Sequence, residues 1–586
     1  MNTSSKAAKS LLAIDIGSSL TRVLFFDVVN GRFRFIGRGS APTTAGAPIY
    51  DAAEGIWRAI EELQLITERT FLSKDEGVII PSTPENEGVD MMVATMSAGD
   101  PLKVITVGLL DDVSLKTARH LAETTYASVV NEISLNDHRT PSDRINLITT
   151  VRPDLIIMAG GTNGGATQAT LNMLEMVGLA SYFIEKNQKP HVLYVGNEQL
   201  HDEVKSSLEN ISNLHLAANI QPVLEEEQLY PAQKKLKSIF NEIRKQQSAG
   251  VRELLSWANG HFASSASGFG RLIRFLSQKF EPEKGVLGID IGSSNTVLAA
   301  AFSGEETLRV FPDLGVGASA ASVLEASSLQ EITRWLSLPL SDQTVENYLY
   351  QKTAYPDSIP AEPEHLAIEH ALARQVLRLA ASQSIPCFPK RTQRSADGLL
   401  PAVEPIIGAG RVLTQSPNRA DSLGILLDGL QPTGVTTLAL DQNDILAGLG
   451  AIADRNPLMT VQIVETSTFL NLGTIIAPLG SARPGTTILR IQVNRSDGRT
   501  ATRDIKFGSL VVLPVETGEK VTLHLRPLHK FDVGMGGPGK AGKVNAVGGA
   551  LGVIIDARGR PLRFFADRDK NIKRNAAWKK TLQKFE

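Results

Sequence analysis

The chain has 586 residues, with 60 Lys plus Arg against 62 Asp plus Glu and a formal net charge of -2, and at roughly 150 residues per domain that length corresponds to three or four domains. The near balance of charge excludes the global basic field of a nucleic-acid binder, and the single cysteine, Cys387, excludes an intramolecular disulfide and a Cys-rich metal centre. No apolar run reaches the roughly 18 residues of a membrane span, and LLAI before Asp15 is too short for a secretory-signal core. The expectation is a cytoplasmic protein with neither nucleic-acid nor membrane partners.

In chain order, Leu11 to Phe33 reads LLAIDIGSSLTRVLFFDVVNGRF: an apolar strand, an IDIGSS turn, a second apolar strand and a polar glycine turn. Met91–Thr95 and Leu102–Leu110 read as strands. SLKTARHLAETTYASVV follows with helical spacing, and Ser114 is its expected N-cap. Asp154–Gly161 is a buried-strand run followed by a helix through ATQATLNMLEMV, and His191–Asn197 is a strand followed by a helix through EQLHDEVKSSLEN. This alternation predicts α/β layers with parallel strands. YPAQKKLKSIFNEIRKQQ and RELLSWA supply helices leading to GVLGIDIGSSNTVLAAAFSGEE, Gly285 to Glu306, which repeats the opening pattern. Two such hairpins, too far apart for a solenoid repeat, indicate a duplicated domain.

Beyond the second hairpin, helices are predicted over Ala321–Leu336 and His365–Gln383. Ala402–Thr414 reads as strand, glycine turn, then helix or loop. From about Ser467 apolar and polar residues alternate between SDG and TGEK turns, the pattern of antiparallel β structure. The last stretch, from Ala557, is basic and is expected to be peripheral. The expected organisation is a first half over 9–282 with an α/β insertion, a second half over 283–466, a C-terminal β domain over 467–557 and a basic tail over 558–586.

The chemistry concentrates in the two turns. Gly17 lets the chain approach a ligand closely, while Ser18, Ser19 and Thr21 offer hydroxyls and backbone N–H groups to phosphate oxygens. Asp15, at the end of a buried strand, is costly to bury unless a cation such as hydrated Mg²⁺ meets it. The same reasoning applies to Asp290, Gly292, Ser293, Ser294 and Thr296. A single copy reads better as a tight hairpin with a polar turn than as a phosphate site. Two copies facing one another would clamp one triphosphate.

Both turns resemble the phosphate-binding loops of the ATPase superfamily that includes actin, the heat-shock chaperones and sugar kinases. MAGGTNGG (Met158–Gly165), VLYVGNEQLHDEV (Val192–Val204), VFPDLGVGASAASVL (Val310–Leu324) and PIIGAGRVL (Pro405–Leu413) then occur in the order of one family. Over roughly residues 10 to 460 the chain resembles the MutL-type proteins associated with glutamate mutase, which are unrelated to the mismatch-repair protein of similar name. The resemblance implies a duplicated actin-like (ribonuclease H-like) core of two lobes binding ATP and Mg²⁺. It implies a first phosphate loop of Asp15, Gly17, Ser18, Ser19, Thr21 and Arg22, with Arg22 replacing the family's usual lysine. The second loop would contain Asp290, Gly292 and Thr296, and Gly408 and Gly410 would approach the adenosine. Asp15 and Asp290 would hold the Mg²⁺ shell. The implied role is ATP-dependent reactivation or assembly of an adenosylcobalamin-dependent mutase, whose subunits would be the partners; homo-oligomerisation is left open.

The departures bear on turnover. The family's second loop usually reads like DIGGATTD, whereas this chain has DIGSSNTV, so Ser293 stands for a glycine and Val297 for an acid. Losing that carboxylate removes a group able to orient the attacking water. In AGGTNGG, Asn163 stands where aspartate is usual. A weak ATPase and a non-catalytic, nucleotide-gated scaffold of the pilus or division type both remain open, and a small-molecule kinase lacks a substrate-base motif. GMGGPGKAGKV (Gly534–Val544) contains GxxxxGK twice, but Ala541 and Val544 stand where a P-loop hydroxyl is required, so it reads as a glycine loop. His365 and His370, five apart on a helix, cannot share a metal and read as surface or boundary residues. Cys387 reads as a structural thiol.

Overall fold

The computed structural model describes residues 8–73, 77–280, 283–392, 396, 398–453, 455–466 and 468–585; the expected boundaries at 282 and Ser467 lie outside the described residues. Two compact units are distinguished. One comprises Leu11–Val23 and Gly39–Ser267, and the other Met1–Ser10, Leu24–Arg38 and Gly268–Glu586.

The same strand order occurs twice. The first sheet runs Phe262–Ser264, Met91–Met96, Leu11–Ile16, Leu20–Val29, Arg32–Pro42, and Met91–Met96 lies parallel to both Leu11–Ile16 and Phe262–Ser264. In the second sheet, Gly285–Ile291 pairs antiparallel with Thr296–Phe302, which pairs antiparallel with Glu305–Phe311. On its other side Gly285–Ile291 pairs parallel with Val403–Ala409, which pairs parallel with Gly434–Leu440. Each half is therefore a 3-2-1-4-5 sheet: three successive strands joined by tight turns, then two parallel strands. This is the ribonuclease H-like order, duplicated. The central strands carry apolar residues on both faces because both are covered, and all six residues of Leu11–Ile16 are buried.

Between the fourth and fifth strands of the first sheet an α/β domain is inserted. Its five parallel strands are ordered Asn213–Leu216, His191–Tyr194, Leu155–Met158, Leu102–Val107, Ala127–Ile133. Helices including Thr167–Phe183 and His201–Leu208 bury Met173, Val177, Val204 and Leu208 against it. The predicted alternation holds here with one correction. The helix predicted from Ser114 stops at Ala122, and Ala127–Ile133 is a strand. The β-branched and aromatic run Thr124-Thr125-Tyr126 disfavours continued helix. Ser114 does not cap that helix; its hydroxyl accepts from Leu109 N and Leu110 N at 2.8 and 2.9 Å.

The region assigned to a C-terminal β domain is divided between two sheets. Leu470–Ala477, Val553–Asp556 and Leu510–Leu513 extend the second sheet to eight strands. Thr500–Lys506, Thr487–Arg495, Lys520–Pro527 and Gly542–Val547 form a separate antiparallel sheet. Its apolar face, with Ile491 and Leu523, shares a core with Ile476 and Ile555 of the extension. The glycine-rich GMGGPGKAGKV links two strands of this sheet, as its residues predict.

The basic tail is not peripheral. Asp556 is fully buried and accepts from both Arg558 and Arg560, and Arg558 also reaches Asp428 at 2.8 Å. The Arg558 guanidinium lies 4.5 Å from the ring centre of Trp578, on the helix Arg568–Gln583. Arg558 and Arg560 act as internal counter-charges, without which Asp556 could not be buried. His370, expected near the surface, is 4% exposed, with Ser416 Oγ 3.3 Å from its Nε2. The helix predicted over Ala321–Leu336 is two short helices, Val323–Ala326 and Leu329–Thr333, interrupted at Ser327-Ser328.

Candidate functional site

The first turn follows the strand Leu11–Ile16. Gly17 N donates to Leu20 O at 2.9 Å, and a Cβ on Gly17 would lie 2.7 Å from that oxygen, so the turn admits only glycine without movement. The adjoining segment locks it from one side: Thr43 N donates to Ser19 O, and the Thr43 hydroxyl donates to Gly17 O at 2.7 Å. Asp15 is 8% exposed. Its carboxylate accepts from the hydroxyls of Thr95 at 2.7 Å and Ser265 at 2.6 Å, and the Arg22 guanidinium stands 3.9 Å away. Thr95 comes from the adjacent parallel strand and Ser265 opens the helix Ser265–Ser277. Ser18 and Ser19 are half-buried at the turn's rim, whereas Thr21 is fully buried with its hydroxyl 3.0 Å from that of Thr43.

The second turn repeats this backbone. Gly292 N donates to Asn295 O at 2.8 Å, and a Cβ would meet that oxygen at 2.8 Å. The segment Gly315–Ser319 packs over it: Val316 N donates to Gly292 O, Gly317 N to Ser293 O, and Ala318 N to the Ser293 hydroxyl. Ser319 Oγ donates to Ser294 O at 2.6 Å. Gly315 and Gly317 allow this approach, since a Cβ on either would fall within 2.2 Å of Ser293 atoms. Thr296 is fully buried and its hydroxyl donates to Leu314 O at 2.7 Å. Both threonines thus brace their turns from beneath, and the serines and backbone form the rims.

Gly408 and Gly410 end the neighbouring strand Val403–Ala409 and its turn. Gly410 has φ +96°, and a Cβ there would lie 2.1 Å from Ile291 O. The chain's own backbone therefore requires this glycine. Asp441 was not singled out in the sequence. Its N–H donates to Gly408 O at 2.9 Å, and its carboxylate accepts from Ile445 N and Leu446 N at the start of the helix Leu446–Ile452. Burial, then the nearby Asp444, pushes its carboxyl up to about 7, and Asp290 adds to that rise. The available signal was positional: like Asp15 and Asp290, Asp441 ends an apolar strand, LALD. Asp15, Thr95, Ser265 and Arg22 thus form one group, and Asp290, Asp441, Gly408 and Gly410 another, each within its own unit.

In the inserted domain, AGGTNGG follows the strand Leu155–Met158 and closes on the VGN segment. Gly164 N donates to Asn197 Oδ1 at 3.1 Å, and Asn197 Nδ2 donates to Gly165 O at 3.2 Å. Asn163 Oδ1 accepts from Asn219 Nδ2 at 2.9 Å, a bond that suits an amide as well as the family's carboxylate.

Strand order and paired turns together define a duplicated ribonuclease H-like α/β protein, the architecture of actin-like ATPases, with an added antiparallel sheet. The sequence profile of the MutL protein family matches residues 11–468, and the chain belongs to that family. No match is found among curated proteins. Similar solved structures include nucleotide-free acetone carboxylase, at 12% identity over 85% of this chain and 81% of that one, with a TM-score of 0.30. Component A of the (R)-2-hydroxyglutaryl-CoA dehydratase of Acidaminococcus fermentans is similar at 9% identity, 76% and 96% coverage and a TM-score of 0.25. Glucokinase from Balamuthia mandrillaris in complex with glucose is similar at 11% identity, 77% and 95% coverage and a TM-score of 0.26. Among the described residues, no helix is long and apolar enough to cross a membrane.

Proposed function

We propose that this MutL-family chain binds Mg·ATP, hydrolyses it slowly, and uses the nucleotide state to reactivate or assemble an adenosylcobalamin-dependent mutase such as glutamate mutase. The observation that carries the reading is the repetition of one glycine-dependent turn after an Asp-terminated strand, at Asp15–Gly17 and at Asp290–Gly292, with matching backbone bonds. In each turn the half-buried serines and neighbouring groups would supply phosphate contacts: Ser18, Ser19 and Arg22 in one, Gly292, Ser293 and Ser294 in the other. Thr21 and Thr296 keep those groups in place from below. Gly408 and Gly410 lie on the nucleoside side.

The donor set fits Mg²⁺. The Asp441 carboxyl is raised first by burial and then by its neighbours Asp444 and Asp290, and a hydrated divalent ion beside it would favour its ionised form. Asp15 and Asp290 would hold its water shell. When bound, the ion neutralises phosphate charge and polarises the transferred group. Val297 in place of the family's acid leaves the water without that orienting carboxylate, so turnover is expected to be slow. Partner control then requires only that the mutase prefer one nucleotide state.

The test is ATP binding and turnover by the purified protein, with Asp15→Ala and Asp290→Ala. A loss of at least about tenfold in ATP affinity in each is expected, equivalent to ~1.4 kcal/mol; unchanged affinity in both defeats the site. Addition of mutase subunits is expected to change turnover or affinity, and no change removes the client assignment alone. ATP binding with no turnover, with or without mutase, selects the scaffold reading, which the loss of the acid at Val297 favours.

A further inference from the structure

We propose that His191, His215 and Glu242 form a site for a divalent transition-metal ion of the zinc class, separate from the residues assigned to nucleotide. The fold places the donors together. His191 opens its strand, and the adjacent parallel strand pairs Leu193 with His215. His191 and Leu193 are two apart, so the period of a strand puts both histidines on one face of the sheet. Glu242 projects from the helix Tyr230–Gln247 onto the same spot.

The distances fit a shared ion. His191 Nδ1 and His215 Nε2 are 2.9 Å apart, and one oxygen, Glu242 Oε2, lies 3.9 and 3.8 Å from them. A point equidistant from these three atoms is about 2.1 Å from each, the length of a zinc bond to imidazole or carboxylate. As a purely structural cluster the arrangement is incomplete. The rings meet edge to edge, with an interplanar angle of 16°, and share one hydrogen bond. The carboxylate stands beyond hydrogen-bond range of both nitrogens, and its side chain is 48% exposed. Binding an ion moves the shared proton to the far nitrogen of its ring and requires both rings to turn from one another toward Glu242, so that their lone pairs meet the ion.

The surroundings support the assignment. Both rings are largely buried, and burial pushes each imidazole down, His215 to about 4, so both are in the neutral form that coordinates metal. Two imidazoles with one carboxylate select a borderline transition ion over Mg²⁺ or Ca²⁺. A cavity of about 510 Å³ opens beside the three donors, lined also by Asn213, Lys245, Gln246 and Arg252. It leaves a fourth coordination position open, as three-ligand zinc sites do. Lys245 and Arg252 oppose a bare cation, so the fourth ligand is expected to be an anion or hydroxide. Every one of these residues lies in the unit Leu11–Val23 and Gly39–Ser267, so the site stands whether or not ATP binds.

The experiment uses the full chain, freed of any histidine tag and of bound metal, titrated with Co²⁺ alone. Expected is one ion per chain with the visible absorption of low-symmetry Co²⁺, displaced by Zn²⁺ and not by excess Mg²⁺. Glu242→Gln, at a half-exposed position that the fold does not need, is expected to weaken binding by about tenfold or more, and His215→Gln by about a hundredfold. His365→Gln is expected to leave it unchanged. Absence of a saturable one-to-one complex, or affinity unchanged in Glu242→Gln and His215→Gln, overturns the site without touching the nucleotide assignment.

Discussion

After Thr21 in the first turn comes Arg22, and after Thr296 in the second comes Val297; the strand register sets Val297 opposite Asp290. The backbones of the two turns match to within 0.1 Å in the Gly17–Leu20 and Gly292–Asn295 bonds, which are 2.9 and 2.8 Å. Their charges do not match. Asp15 is met by two hydroxyls and a guanidinium, whereas Asp290 is near enough to Asp441 to help drive that carboxyl up to about 7. The first turn thus carries its own counter-charge. In the second, Asp441 is buried with Asp444 and Asp290 nearby, and Asp444 is itself paired with Arg38 at 2.8 Å. Duplication preserved the geometry of the turns and let their electrostatics diverge.

The harshest way to break this comparison is Val297→Asp, which restores the family's acid. Val297 is 2% exposed, so the new carboxylate is buried opposite that of Asp290. A loss of about 3 kcal/mol or more is expected in urea unfolding. A loss under about 1 kcal/mol would show that the second turn tolerates further negative charge, and the contrast drawn above would fail.

Next in size is a pH effect at Asp441. Asp441 in the folded chain holds its proton up to about pH 7, well above an ordinary carboxyl. Between the unfolded value of ~4 and 7 the folded state therefore binds more protons than the unfolded state, and stability falls as pH rises through that window. From pH 5 to 8 the contribution is about 2 kcal/mol lost. Asp441→Asn, compared with wild type by denaturant unfolding at both pH values, is expected to remove this share of the slope and to leave the share of Glu306, which burial likewise pushes up to about 7. An unchanged slope assigns the repulsion elsewhere.

Gly17→Ala and Gly292→Ala sharpen the geometric half of the comparison. Each adds a Cβ within 2.8 Å of a backbone oxygen, and each is expected to cost about 1–2 kcal/mol. Agreement between the two within about 0.5 kcal/mol supports equivalent turns; a larger gap breaks the equivalence.

Much of this contrast was legible in the residues before any coordinates. The repeated IDIGSS fixed the duplication, and YPAQKKLKSIFNEIRKQQ coincides with the helix Tyr230–Gln247 because its apolar positions recur at helical spacing. What escaped depended on distant partners. Arg558 and Arg560 read as solvated charges because nothing local names Asp428, 130 residues away, as a partner of Arg558. Asp441 lacks a motif; its near-neutral carboxyl arises from burial, then from Asp444, with a smaller part from Asp290, which the parallel sheet brings near. Thr95 and Ser265 reach Asp15 across 80 and 250 residues. His191, His215 and Glu242 are likewise separated by complete strand and helix crossovers, so no short spacing betrays them. Ala127–Ile133 failed for a local reason: LAETTYASVV has apolar residues at both helical and strand spacings, and tertiary pairing decides between them.

The mildest perturbation concerns the counter-charge itself. Arg22→Met keeps the stem and removes the guanidinium, which lies 3.9 Å from Asp15 with both side chains slightly exposed, at 14% and 12%. At that distance and exposure the pair contributes modestly, and Thr95 and Ser265 still hold the carboxylate. The expected cost is about 0.5–1 kcal/mol, smaller at high salt. Arg22→Met makes the first turn electrically more like the second, so ATP affinity is expected to fall severalfold and its dependence on Mg²⁺ to steepen. If binding instead proves indifferent to Arg22 at every Mg²⁺ concentration, the guanidinium has no part in nucleotide binding, and the phosphate contacts proposed for the first turn reduce to Ser18, Ser19 and the backbone.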